Sequence, residues 1–457
     1  MSVSRFSTTG SILLLFGLTS VCSFGQSTSA VTAFSGTNQA NNVRMLPTPL
    51  SSVQSYDSTA PLQFPTGAKS SRAKYDADFP GAPKANSKGS TRSSNGHAHQ
   101  NNNDSNVRGL ITLPTFMGAF ASGGGFNEYP YFMIGNDPLK GGTTQLPAKI
   151  VSTSLNLLNA DGKGGVMNFS NAPYEELTLN SPNFETADYT TGHHIQFGDA
   201  VQRAEFFNNM REDWHTVLNA EQVDRVTYNI PDVVQVSGLN VPGGVGKVPG
   251  YLIRHSKSTG ATYVLMLDLL FNAVANDLVN NEINSGNYTT DAVNIAALPN
   301  TFLFSIDDKG VPTTCCVAGF HTYFADDGTP QSRWVFAYAG FASPGIFGGG
   351  FEDITALSHE ISEALNDPFV DNPTPAWQFP GINACQGNLE TGDPVEVLAN
   401  SVFPVTLGKK GSQFTYHPQT EALLQWFEQG LPSDAIGGAY SYPDTTALTT
   451  TANACPF

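Results

Sequence analysis

Apolar residues are distributed along this chain in three regimes. An apolar stretch runs over 12–21, residues 26–106 carry almost no periodic apolar pattern, and from Val107 onward short apolar runs alternate with turn signals. The third regime predicts strands over 107–120, 129–134 and 149–158. Over 199–218, Val201, Ala204, Phe207, Met210, Trp214 and Leu218 recur at three- or four-residue steps, which predicts a helix. Its Arg203, Glu205, Arg211, Glu212 and Asp213 read as a solvated face. Strands are expected over 223–236, 262–270, 301–306 and 334–340, and a Gly-rich loop over 345–350 leads into a second helix, 352–366. Glu352 and Asp353 suit the positive N-terminal end of that helix, and Pro368 marks its stop. Ile354, Leu357, Ile361, Ala364 and Leu365 form its apolar stripe, while His359 and Glu363, four apart, share the opposite face.

The first two regimes lie outside the expected fold. Arg5 ahead of the 12–21 stretch, with Ser23 and Gly25 behind it, reads as a secretory signal peptide cleaved after Gly25. Cys22 raises a lipoprotein anchor, but Val21 fits a lipobox poorly. No later stretch is long and apolar enough for a membrane helix. Residues 26–106, rich in Ser, Thr, Asn, Gly and Pro, offer little to offset the entropy of ordering and read as a disordered tail. His97 and His99 within it are polar filler. The expected organisation is therefore one α+β domain over 107–457 with a β-rich N-terminal part.

Composition narrows the partners. Lys and Arg total 22 against 39 Asp and Glu, a net charge of −17, which repels nucleic acid and anionic membranes. Four cysteines remain after Cys22 leaves with the signal, an even number that suits two disulfides in an exported chain. The adjacent Cys315 and Cys316 would most simply take separate partners, Cys385 and Cys455, although three pairings are formally open.

The candidate chemistry sits in one run, His359-Glu360-Ile361-Ser362-Glu363, which has the form H-E-x-x-E. It is the H-E-x-x-H zinc-peptidase pattern with the second histidine replaced by glutamate. Zinc accepts imidazole nitrogen and carboxylate oxygen, and one helical turn presents His359 and Glu363 together. Glu360 is offset around the helix, where a general base for a water on the metal would stand. The third ligand is expected from Asn388-Leu389-Glu390-Thr391-Gly392-Asp393, as Glu390 or Asp393, with Gly392 allowing a tight turn. Asp367 and Asp371 read as turn and cap residues. The plainer alternative makes His359, Glu360 and Glu363 the wet face of an amphipathic helix.

From Cys315 onward the order of features resembles the plant EXORDIUM (phosphate-induced protein) family and its bacterial relatives. The resemblance rests on Cys316-Val317-Ala318-Gly319-Phe320-His321, the apolar strand from Trp334, the motif helix with Asn366-Asp367-Pro368, Trp377, Glu390 to Asp393, the Gln425-Trp426 pair and Cys455. It covers roughly the last 140 residues. The chain departs from the plant pattern in its long N-terminal extension and in lacking a dense Gly run after the Glu-x-Gly-Asp element. The resemblance implies an extracellular or cell-surface-associated protein with a zincin-like mixed sheet. It also implies a site in the half from about residue 300, made by His359, Glu360, Glu363 and Glu390/Asp393. His321 gains a role from it as metal ligand or catalytic donor to a reaction oxyanion.

These readings lead to a secreted zinc-dependent, peptidase-like hydrolase acting on a peptide or cell-surface polymer. Two carboxylate ligands would leave bound water less acidic than neutral histidines do, which favours weaker catalysis or a harder ion such as Mn2+. The alternative is a non-catalytic extracellular binding protein that retains the metal site. No G-x-S-x-G occurs, and the glycine clusters at 123–125 and 348–350 lack the Lys-Ser/Thr of a phosphate loop. His193, His194 and His215 read as structural, and His417 as a remote candidate for the site.

Overall fold

A computed structural model describes residues 43–44, 112–123, 127–189, 193–326, 329–348, 350–381, 384–396, 398–430 and 432–455. The expected signal peptide lies outside the described residues. So does the expected tail, except that Val43–Arg44 pairs in parallel with Thr227 and Tyr228.

The architecture is mixed α+β. Among the described residues, seven strands form the main sheet. His215–Ile230, Thr143–Leu158, Val293–Pro299 and Thr329–Phe341 lie side by side in that order, all parallel. Gly319–Asp326 ends the sheet in antiparallel sense, and Val166–Phe169 folds back on Thr143–Leu158. A second sheet joins Tyr251–His255, Thr262–Leu267, Thr301–Ile306 and Pro312–Val317.

A parallel sheet must be covered on both faces. Helix Asp268–Ser285 covers one, through Phe271 against Phe320 and Tyr338. Helix Thr355–Asn366, the motif helix, packs against Gly319–Asp326 and Thr329–Phe341 from the other. The cross-strand pairs Gly319–Ala339 and His321–Ala337 set small residues beside His321 on that face, so the helix approaches closely. A Cβ on Gly319 would come within 2.6 Å of Glu360 Oε1. Helix Phe197–Glu205 backs the motif helix in turn, where a Cβ on Gly198 would come within 2.5 Å of Leu365. Beyond it, Trp377 packs edge-on against Trp426 and Phe427 in a separate apolar cluster.

Several expectations need correction. The helix expected over 199–218 ends at Glu205, and His215–Ile230 is a strand. Trp214 and Leu218 are four apart, a spacing that keeps one face in a strand as well as in a helix, so the pattern was ambiguous there. The strand expected over 262–270 stops at Leu267, and an unforeseen helix of 18 residues starts at Asp268. Of the strand expected over 107–120, residues 107–111 lie outside the described residues, and the described strand is Thr115–Ala121. The motif helix begins at Thr355 rather than at Glu352, because Asp353 has a left-handed φ of 46°. The disulfides join Cys315 to Cys316 and Cys385 to Cys455, not each adjacent cysteine to a distant partner. The wet-face reading fails as well, since every residue of Thr355–Asn366 is buried.

Candidate metal centre

The motif helix is buried on its polar side because two later segments cover it. The first is the loop from Glu390 to Asp393, which continues into the short helix Asp393–Glu396. The second runs through Gln419 into the strand Glu421–Ala422, and Ala422 N–H donates to Thr391 O at 2.7 Å, tying the two together. Gln419 N–H donates to Ser358 Oγ at 2.8 Å and Gly392 N–H to Glu363 Oε1 at 3.0 Å, so both segments are anchored to the helix. A Cβ on Gly392 would fall 2.5 Å from the His359 ring, and only glycine allows this approach.

Two imidazoles face one another's carboxylates across this covered space. His359 Nε2 lies 3.1 Å from Glu363 Oε1 and 3.6 Å from Asp393 Oδ1. His321, from the edge strand, places Nδ1 3.1 Å from Glu363 Oε2, 3.7 Å from Glu360 Oε2 and 3.8 Å from Glu390 Oε2. The structure thus brings His321, His359, Glu360, Glu363, Glu390 and Asp393 together.

The far nitrogens fix the tautomers. His321 Nε2 is 3.1 Å from the Asp367 carbonyl and must donate to it. Gln419 Nε2 donates to Gly392 O at 2.7 Å, which turns its Oε1 toward His359 Nδ1 at 3.2 Å, so that nitrogen donates too. A neutral imidazole has one N–H. Each ring, when neutral, therefore aims its lone pair at carboxylates, an arrangement that needs a proton or a cation between them.

Without a cation, protons fill the gap. Burial alone would lower the pKa of His321, but Glu390, Glu360 and Glu363 outweigh it and raise it well above the ordinary histidine value. His359 behaves likewise: burial lowers, while Glu363 and Glu360 more than compensate. Burial pushes Glu363 up, yet His359 and His321 overcome this and hold it below the usual carboxylate range. Burial dominates at Glu360 and Glu390, which are raised, the latter helped by repulsion from Glu363.

Sequence reasoning missed Glu396 and Glu421. Burial raises both well above the usual range, and both feel His359, Glu363 and Glu360. Glu421 is 0% exposed, and the Thr391 hydroxyl is the one neutral group that helps to hold its carboxylate. Six carboxyl groups (Glu360, Glu363, Glu390, Asp393, Glu396 and Glu421) thus face two imidazoles, so two imidazolium ions can balance only two of the six as carboxylates. Buried carboxylates of that number are paired, protonated or coordinated to metal. The donor set fits a cation. Around zinc, with donors about 2.0–2.1 Å away, tetrahedral edges are roughly 3.3 Å, close to the 3.1 and 3.6 Å that separate His359 Nε2 from its two carboxylates.

Of the other candidates, Asp367 adjoins the centre through its carbonyl on His321 Nε2, and the rest lie apart. Asp367 accepts from Asp371 N and Asn372 N, a turn, and Asp371 faces Arg333 at 3.8 Å. His215 bonds Asp199 and His194 bonds Asp188. His417 does not reach the centre. Its Nδ1 bonds Asp353 Oδ2 at 2.7 Å at the helix entrance, with Glu352 3.3 Å away.

No family model, no curated protein and no solved structure matches this chain, so the EXORDIUM-like order of motifs stands on its residues alone.

Proposed function

We propose that this protein is a secreted, metal-dependent, peptidase-like hydrolase with a zincin-like core, in which zinc or a harder ion such as Mn2+ is held by His359, Glu363 and Asp393 or Glu390. The observation that carries this reading is the pair of buried imidazoles, each with one nitrogen tied to a neutral acceptor and the other aimed at carboxylates. Bound there, a divalent ion supplies Lewis acidity toward a carbonyl oxygen. Glu360, with its raised pKa, suits a base that takes the proton of the attacking water and returns it to the leaving amine. Gly319–Asp326 supports a peptide substrate: it ends the sheet beside the site helix, and among the described residues no further strand pairs along its outer side. An extended chain could add there by backbone hydrogen bonding. Two disulfides agree with an oxidising, extracellular setting.

Metal analysis of the purified protein, together with His359→Ala and Glu360→Ala, tests the proposal. Stoichiometric zinc or manganese is expected in wild type and Glu360→Ala and a reduced amount in His359→Ala, with peptide-library cleavage abolished in both variants. Wild type that holds no stoichiometric metal after exposure to either ion sinks it. A second reading, a non-catalytic extracellular binding protein that keeps the metal, is favoured by the enclosure of the centre. The His359 side chain is only 10% exposed and that of Asp393 14%. Metal that stabilises the fold without any cleavage selects this second reading.

A further inference from the structure

The single-ion reading leaves half the centre unused. Glu363 commits its two oxygens to different histidines: Oε1 to His359 Nε2 and Oε2 to His321 Nδ1, each at 3.1 Å. The two imidazole lone pairs therefore converge on opposite oxygens of one carboxylate, and a single ion cannot take both nitrogens in this arrangement while Glu363 stands between them. Each histidine has a further carboxylate of its own, Asp393 for His359 and Glu390 for His321. Donor atoms of His321, Glu363 and Glu390 lie within 4.8 Å of one another, as do those of His359, Glu360 and Glu363, so two ligand groups share Glu363.

We propose that the site is dinuclear, with Glu363 as a bridging carboxylate between two divalent ions. This rests on the metal-dependent reading above and deepens it. One ion takes His321 Nδ1, Glu363 Oε2 and Glu390. The other takes His359 Nε2, Glu363 Oε1 and Asp393. Oε1 also accepts from Gly392 N–H, which leaves its second lone pair for a metal. Glu360 reaches both groups.

A separate observation points the same way. Glu421 is wholly buried, has only the Thr391 hydroxyl beside it as a neutral polar neighbour, and faces the His359 side of the centre. One divalent ion offsets two of the six carboxylates around the centre, whereas two ions offset four, without requiring protonated imidazoles. An oxygen-rich donor set with one imidazole per ion suits Mn2+ or Zn2+ more than a soft ion.

The test is manganese binding by the full mature chain after chelator stripping, read by elemental analysis and electron paramagnetic resonance. Wild type should hold two equivalents and give an exchange-coupled spectrum, because bridged ions lie roughly 3.5–4 Å apart. Glu390→Gln should hold about one equivalent and lose the coupling while keeping the His359 ion. One equivalent in wild type, with an uncoupled spectrum, overturns the bridge and leaves the hydrolase proposal standing. No bound metal overturns both. The wild-type stoichiometry and spectrum decide the matter even if Glu390→Gln fails to fold.

Discussion

Two histidine–carboxylate clusters flank the same helix and behave oppositely. At its entrance, His417, Glu352 and Asp353 lie within 4.8 Å of one another, as a metal site would require. Both oxygens of its buried carboxylate, Asp353, are already used. Asp353 Oδ1 takes Ile354 N–H and His417 N–H, and Oδ2 takes His417 Nδ1. The cluster is part-exposed, so water reaches the charge that His417 does not offset. Deeper along the helix, the cluster around Glu363 is buried, over-supplied with carboxyls, and includes Glu421 with no cationic side chain of its own. Proximity of ligand-type side chains is common to both. What separates them is whether the donors are satisfied without an ion.

The sharpest way to break this contrast is Glu363→Gln. It removes the group both histidines address, and metal affinity should fall by about three orders of magnitude or more, well beyond the 10–100-fold typical of an outer-shell partner. Equilibrium dialysis against zinc reads it, and an unchanged affinity would put the metal elsewhere.

A subtler contrast concerns apo stability. Glu421 has its folded pKa raised, so the folded state holds its proton more tightly, and stability falls as pH rises from the ordinary carboxylate value through the raised one. Glu421→Gln does not titrate. Chelator-treated Glu421→Gln should therefore be more stable than wild type above neutral pH, by about 1–3 kcal/mol, the cost of an unsatisfied buried group. Urea melts at two pH values check this, and a destabilised variant would show that the carboxylate has an essential protein partner.

Proton release sharpens the comparison further. In the apo protein His321 and His359 are raised and hold protons at neutral pH, so an incoming ion must displace them. Affinity should rise about tenfold per pH unit for each proton displaced, up to the raised values. Calorimetry in two buffers of different ionisation enthalpy counts the protons, and a pH-independent affinity contradicts the assignment.

The smallest effect is expected at the surface cluster. The Asp353 hydrogen bond raises His417, and its stabilisation is present in full below the ordinary histidine value and fades as pH rises through the raised one. His417→Gln should cost about 1 kcal/mol at pH 6, less at pH 9, and leave metal binding untouched.

Sequence carried the motif helix and its immediate partners further than the rest. The i, i+4 spacing of His359 and Glu363, and the glycines beside His321 and Asp393, have direct geometric meanings: a shared helix face and close approach. The mixed α+β character followed from alternating apolar runs. The helix Asp268–Ser285 was hidden because its apolar face continues directly from the buried strand Thr262–Leu267, with no turn residue between them. Glu421 and Gln419 carry no local signal. They reach the centre only because the strand Glu421–Ala422 is pinned to Thr391, a contact set by tertiary packing. The C-terminal segment was suspected through His417, but His417 turns to Asp353 and its neighbours two and four residues on approach the site instead.

The Cys385–Cys455 bond gives this arrangement a dependence that no ligand list conveys. It closes a 70-residue loop, and Glu390, Asp393, Glu396, Gln419 and Glu421 all lie inside that loop. Chain-entropy arithmetic credits such a closure with about 4 kcal/mol. Every carboxyl group that the centre receives from outside the motif helix is thus delivered by a covalently cinched segment. A reductant that opens it would loosen the carboxylate half of the centre, and would act on this protein much as a chelator does.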